Sequence, residues 1–114
     1  MRDASLLGRV LDTFVAMQLR PETVVSDLEP RLFHLRTKEG RQEIDLVVEY
    51  GSGLVAGIEI KATSAPSPAD ARHLAWLRDA LPDTFVGGVV LHTGPRAFQL
   101  GEGLFAAPIS TLWA

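Results

Sequence analysis

Two alternating stretches hold the side chains best suited to chemistry. Residues 42–50 (QEIDLVVEY) carry Glu43, Asp45 and Glu49, and residues 54–61 (LVAGIEIK) carry Glu59 and Lys61. Both are rich in β-branched residues, and the Gly51-Ser52-Gly53 between them is a hairpin signal. Side chains alternate along a strand. Glu43, Asp45, Val47 and Glu49 are therefore expected on one face of the first arm. On the second, Val55, Gly57, Glu59 and Lys61 share a face, with Ala56, Ile58 and Ile60 on the other. A three-residue loop sets Tyr50 opposite Leu54, Asp45 opposite Glu59 and Glu43 opposite Lys61. Opposed Cβ atoms lie about 5 Å apart. Two carboxylates at that distance repel by roughly 3 kcal/mol at an effective dielectric near 20. Such a pair calls for a bound cation, a shared proton or another register, because a loop one residue longer puts the acids on opposite faces.

The elements that must hold this hairpin follow from the flanking pattern. Residues 3–20 have helical periodicity, with Asp3 as cap and Leu7, Val10, Leu11, Phe14 and Met17 as the apolar stripe. Asp12 lies off that stripe among small and apolar neighbours, and Pro21 ends the segment. Residues 31–37 (RLFHLRT) alternate as a strand, with Phe33 and Leu35 on one face and His34 and Arg36 on the other. Ser67-Pro68-Ala69-Asp70 is a helix start. Leu74, Leu77 and Leu81 form the expected buried stripe, leaving Arg72, His73 and Arg78 for other faces. Residues 85–92 (FVGGVVLH) form a nearly continuous apolar strand of the kind buried on both sides. Strand, helix, strand with this crossover implies a parallel pair. Residues 98–100 and 104–109 suggest an edge hairpin, with Pro108 suited to an edge. The expected order is helix, three antiparallel strands, helix, parallel strand and edge extension: an α/β mixed sheet with a helix on each side, in three layers.

Bulk properties narrow the classes. The chain of 114 residues, 46% hydrophobic and 22% charged, fits one soluble globular domain over residues 1–114. No stretch reaches the roughly eighteen apolar residues of a membrane helix. Arg9 and Asp12 interrupt the first apolar run, against a secretory signal, so a cytoplasmic location without membrane contact is expected. Without cysteine, disulfides and thiolate metal sites are excluded. The net charge of −3 gives no overall basic footprint for nucleic acid, though an acidic site and local basic patches can cancel. His34, His73 and His92 lack zinc-motif spacing and are expected to be ordinary polar or core residues.

Asp45 followed by Glu59-Ile60-Lys61 resembles the D…(D/E)xK signature of the PD-(D/E)XK, restriction-endonuclease-like superfamily, and the element order resembles its αβββαβ core. A closer similarity spans nearly the whole chain. Residues 8–15 (GRVLDTFV), 35–37 (LRT), 43–47 (EIDLV), 57–61 (GIEIK), 88–94 (GVVLHTG) and 108–113 (PISTLW) resemble an uncharacterised domain at the C-terminus of many bacterial and archaeal P-loop ATPases. Its members usually carry Glu where this chain has Asp12. No GxxxxGK[ST] occurs here, so the ATPase half is not in this chain.

The resemblance implies a phosphodiesterase or endonuclease-like hydrolase dependent on Mg²⁺ or Mn²⁺, with DNA as the expected substrate. Mg²⁺ takes oxygen ligands, typically one or two carboxylates completed by water and phosphate. Asp45 and Glu59 would supply the carboxylates and the Ile60 carbonyl a neutral oxygen, with Asp12 reaching the metal directly or through water. Lys61 would contact the attacking water or a phosphate oxygen as a point charge. Arg36 and His73 are further candidates for phosphate contact, and Glu43 is an extra acid or the ion-pair partner of Lys61. Against this stands a bland reading, in which Asp45, Glu59 and Lys61 are solvated strand residues. The alternative function is a catalytically inactive nuclease-fold module for protein interaction, regulating an ATPase partner or forming a homodimer.

Overall fold

The computed structural model describes residues 31–50 and 53–112. The expected helix over residues 3–20, with Asp12, and the C-terminal Trp113 lie outside them. The described residues form a mixed α/β fold: one six-stranded sheet and one α-helix, α1 (Arg72–Ala80). The strands are β1 (Arg31–Arg36), β2 (Glu43–Tyr50), β3 (Leu54–Ile60), β4 (Phe85–His92), β5 (Phe98–Gly101) and β6 (Leu104–Pro108), in spatial order β1-β2-β3-β4-β6-β5. The first three pair antiparallel, β3–β4 and β4–β6 pair parallel, and β5 closes antiparallel on β6.

The hairpin register is the one a three-residue loop dictates, running from Tyr50↔Leu54 to Leu46↔Ile58. Beyond that pair the expected single acidic face is overturned by a bulge. Phe33 is opposite Val47 and Leu35 is opposite Ile44, so Asp45 and Leu46 together face His34. One extra residue on β2 reverses the alternation. Ile44 and Val47 consequently pack in one cluster, on the α1 side, while Leu46 and Val48 pack in the other. Val47 is thus core and does not join Glu43 and Asp45. The same irregularity corrects β1: Leu32 and Leu35 are half-buried against opposite clusters, and Phe33 is 39% exposed.

The helix begins where expected. Pro68–Ala71 form a 3-10 turn, the Asp70 carboxylate accepts the Ser67 N–H at 2.8 Å, and α1 continues from it. Leu74 and Leu77 are buried, but Leu81 is 37% exposed, because the helix ends at Ala80 and Leu81 adopts non-helical backbone angles. Leu74 enters a notch in the sheet. Gly57 and Gly88 are paired across β3 and β4. A Cβ on Gly57 would stand 2.6 Å from Leu74 Cδ2, and one on Gly88 would stand 3.2 Å from Leu74 Cβ. The two glycines let α1 approach β3 and β4 closely, with Leu74 of its first turn seated over Gly57 and Gly88.

β4 is buried over its last six residues, as its apolar run implies. The expected edge hairpin is β5–β6, and it closes one side of the sheet; what needs correction is the edge place of Pro108, because β6 lies between β4 and β5 and, of the two strands, β5 is the one at the edge. Pro108 is nevertheless tolerable there, since β5 begins at Phe98, opposite Ala106, and does not extend as far as Pro108.

Candidate functional site

Where the β2–β3 ladder stops, side chains take over its hydrogen bonds. The Asp45 N–H donates to Glu59 Oε1 at 3.3 Å, and the Ile60 N–H donates to Asp45 Oδ2 at 2.8 Å. The two acids therefore meet across the hairpin. Their settings differ sharply: Asp45 is exposed, whereas Glu59 is 3% exposed and its Oε2 has no hydrogen-bond partner among the described residues. Burial, and then the neighbouring Asp45 charge, push the Glu59 carboxyl up to about 7. Lys61 and the Asp45 N–H oppose that rise. Ile60 is 52% exposed, unusual for its type, and marks the open side of the acid pair.

Lys61 leaves β3 with its N–H bonded to the Leu91 carbonyl at 2.9 Å. It forms no ion pair among the described residues, so Glu43 is not its partner. The bulge turns Glu43 toward β1, where it is paired with His34 Nε2 at 3.0 Å, and the same ring's Nδ1 is 3.3 Å from the Asp45 carbonyl. His34 is thus the β1 residue that spans the two-residue bulge, a role invisible in its sequence spacing.

His73, in the first turn of α1, feels the charges of both Lys61 and Glu43. Its Nδ1 is 2.7 Å from Gln42 Oε1. Burial, then the Arg72 and Lys61 charges, hold its ring below the ordinary 6.5, against a smaller opposing effect of Glu43. In the sequence Gln42 only opens a stretch; its position just before β2, within reach of α1, makes it the tether. Arg36 lies over the β1–β2 turn, where a Cβ on Gly40 would come 3.8 Å from its Nη2. The third histidine, His92, is 1% exposed and accepts the Gly94 N–H at Nδ1 (3.0 Å). With Nδ1 accepting, the ring hydrogen lies on Nε2, which has no partner among the described residues.

The structure thus assembles Asp45, Glu59, Ile60, Lys61 and His73 at one end of the sheet, with Arg36 set apart over the turn. Asp12 lies outside the described residues. Among those described, no cluster of three or more His, Asp or Glu side chains is placed to share a metal ion. No helix among them is long and apolar enough to cross a membrane.

Taken together, these features define an α/β domain with a mixed sheet and a partly buried carboxylate pair at a strand end. The chain belongs to the family described as a domain of unknown function, DUF4143, which it matches over residues 7–112. Comparison with curated proteins and with solved structures gives no match.

Proposed function

We propose that this domain is a divalent-metal-dependent phosphodiesterase, endonuclease-like and acting on DNA, built on a three-layer αβββαβ core of the restriction-endonuclease type. The observation that carries the reading is Glu59: a buried carboxylate with one oxygen unpartnered among the described residues, beside a second carboxylate from the neighbouring strand. The donor set fits a hard cation, being all oxygen with two carboxylates, and Mg²⁺ needs no more than that from protein. Asp45, Glu59 and the Ile60 carbonyl would hold Mg²⁺ or Mn²⁺. When bound, such an ion supplies Lewis acidity and an activated water. Lys61, without an ion-pair partner among the described residues, is available to neutralise a phosphate oxygen. Gln42 holds the His73 ring in place beside it. The second apolar cluster, around Val48, Ile58, Val89 and Leu91 on the face away from α1, supports the three-layer arrangement, because such a surface requires a cover.

Titration calorimetry with Mn²⁺, alongside cleavage of supercoiled plasmid, tests this. Binding and nicking are expected in the parent protein; Asp45→Ala should lose both, and Lys61→Ala should lose nicking while keeping the ion. Absence of Mn²⁺ binding, or nicking indifferent to both substitutions, overturns the reading.

One observation favours a second reading. Asp45 already serves the backbone by accepting the Ile60 N–H, so the acids can be explained as closing a frayed ladder in a non-catalytic module. That module would regulate an ATPase or form a homodimer. A stable dimer in sedimentation, with no ion bound, supports it.

A further inference from the structure

A cleft of about 350 Å³ lies between the β1–β2 turn and α1, lined by Thr37, Lys38, Glu39, Arg41, Gln42 and Trp76. Three features distinguish it. Trp76 packs one side against the core cluster under α1 and presents the rest to the cleft. The segment 36–42 holds Arg36, Lys38 and Arg41 against Glu39 alone, a local excess of two positive charges in a chain whose net charge is −3. Finally, the cleft adjoins the candidate site through a shared residue: Gln42 lines it and also holds His73, one turn before Trp76 on α1.

We propose that this cleft seats one unpaired base of a single-stranded nucleic acid, stacked on Trp76, with Lys38 and Arg41 on the flanking phosphates. Every base has a π-face, so an aromatic platform beside cations binds strands without reading sequence. Its volume falls within the range of small-ligand pockets, about 300–1,000 Å³, and admits a nucleoside. Arg41 now pairs with Glu39 at 3.2 Å in an exposed contact, worth little and readily exchanged for a phosphate. A strand bound here is led over Gln42 and His73 toward Lys61 and Glu59. The inference deepens the nuclease reading by naming its substrate as an unpaired strand, and it rests on that reading only for what happens after binding.

The test uses Trp113→Phe protein, which leaves Trp76 as the sole tryptophan, titrated without metal with deoxyuridine and uridine oligomers of about eight nucleotides and with a duplex of equal length. Trp76 emission should be quenched by the single strands and not by the duplex, and the tighter of the two names the sugar. The double substitution Lys38→Ala, Arg41→Ala should flatten the dependence of log affinity on log salt by about 1.4 for two phosphate contacts. Trp76→Ala should weaken binding, followed by anisotropy of labelled oligomer, roughly 5- to 150-fold. Because Trp76 also packs on the core, the exposed basic pair gives the decisive result. Unchanged Trp76 emission, equal quenching by duplex, or an unaltered salt slope overturns the inference. Glu59→Gln separates it from the reading it deepens. Quenching retained in that variant, with no nicking by the parent, sinks the nuclease and leaves the cleft; nicking by the parent without any Trp76 response does the reverse.

Discussion

Burial and the adjacent Asp45 charge favour the protonated form of Glu59, raising its carboxyl from 4.5 to about 7 in the metal-free protein. A carboxyl with a raised folded-state value binds its proton more tightly in the folded chain than in the unfolded one. Its contribution to stability is therefore complete below about pH 4.5 and is lost as pH rises through about 7, where the buried group must ionise. Glu59→Gln keeps the shape and removes the ionisation. The variant should match the parent near pH 4.5 and exceed it above pH 7, by at most about 3 kcal/mol, since each tenfold change in proton affinity corresponds to about 1.4 kcal/mol. Urea unfolding of both proteins at a series of pH values checks this, and parallel curves across the range would refute it. The approach of Asp45 to Glu59 was legible in part: the Gly-Ser-Gly loop fixes the register as far as Leu46 opposite Ile58, but beyond it side-chain hydrogen bonds, not ladder alternation, join the two acids. The inequality between the acids was not legible. It comes from the bulge at Asp45 and Leu46, which the regular spacing of Glu43, Asp45, Val47 and Glu49 conceals. The available signal was the apolar pair Ile44 and Val47, three apart, which an unbroken strand cannot bury on one face.

Helix α1 is positioned by a fit between glycine and leucine, and the presence of Gly57 and Gly88 in apolar strands becomes intelligible only once Leu74 is seen against them. From sequence, the helix, its start at Ser67 and its stripe through Leu74 and Leu77 followed from capping chemistry and period. Its end did not, because Leu81 continues the period while the backbone leaves the helix at Ala80. The inner place of β6 was equally hidden, since hydrophobic runs state that a strand is buried but not which strand it joins. The glycine notch gives a sharp expectation. Gly57→Ala places a Cβ 2.6 Å from Leu74 Cδ2 and 3.4 Å from Leu77 Cδ2, and should cost about 1–3 kcal/mol through overpacking. Leu74→Ala should cost about 2–5 kcal/mol through the cavity it leaves. Made together, the changes should cost clearly less than their sum, because the new methyl fills part of the space vacated, with a coupling of roughly 0.5–3 kcal/mol. Chemical denaturation of the four proteins in the cycle measures this. Strict additivity would mean that Leu74 does not hold the helix at the notch.

For the domain as a whole, the question is whether the strand-end acids serve a ligand or only the sheet, and stability answers it without any assay of cleavage. An ion that binds the folded chain alone stabilises it by mass action, about 2.7 kcal/mol at a hundredfold excess over its dissociation constant. For a domain of this size that corresponds to a rise in Tm on the order of 10 °C. Proton and cation compete for Glu59, since the form favoured without an ion is the neutral one up to about pH 7. The Mn²⁺-induced rise should accordingly be small at pH 5, grow steeply through neutrality and level off above pH 8, and chelation should reverse it. Asp45→Ala should abolish the rise at every pH. Glu59→Gln should abolish it too, while leaving the variant more stable than the parent in the absence of ion. A merely structural pair predicts the opposite combination: a Mn²⁺ effect that is absent, or present but indifferent to pH and to both substitutions, together with a loss of stability in Asp45→Ala from the Ile60 N–H left without its acceptor. Because the two accounts differ in the pH dependence and in the response to each variant, thermal scans at two pH values with three proteins decide between a site that waits for a cation and a sheet that merely closes its edge.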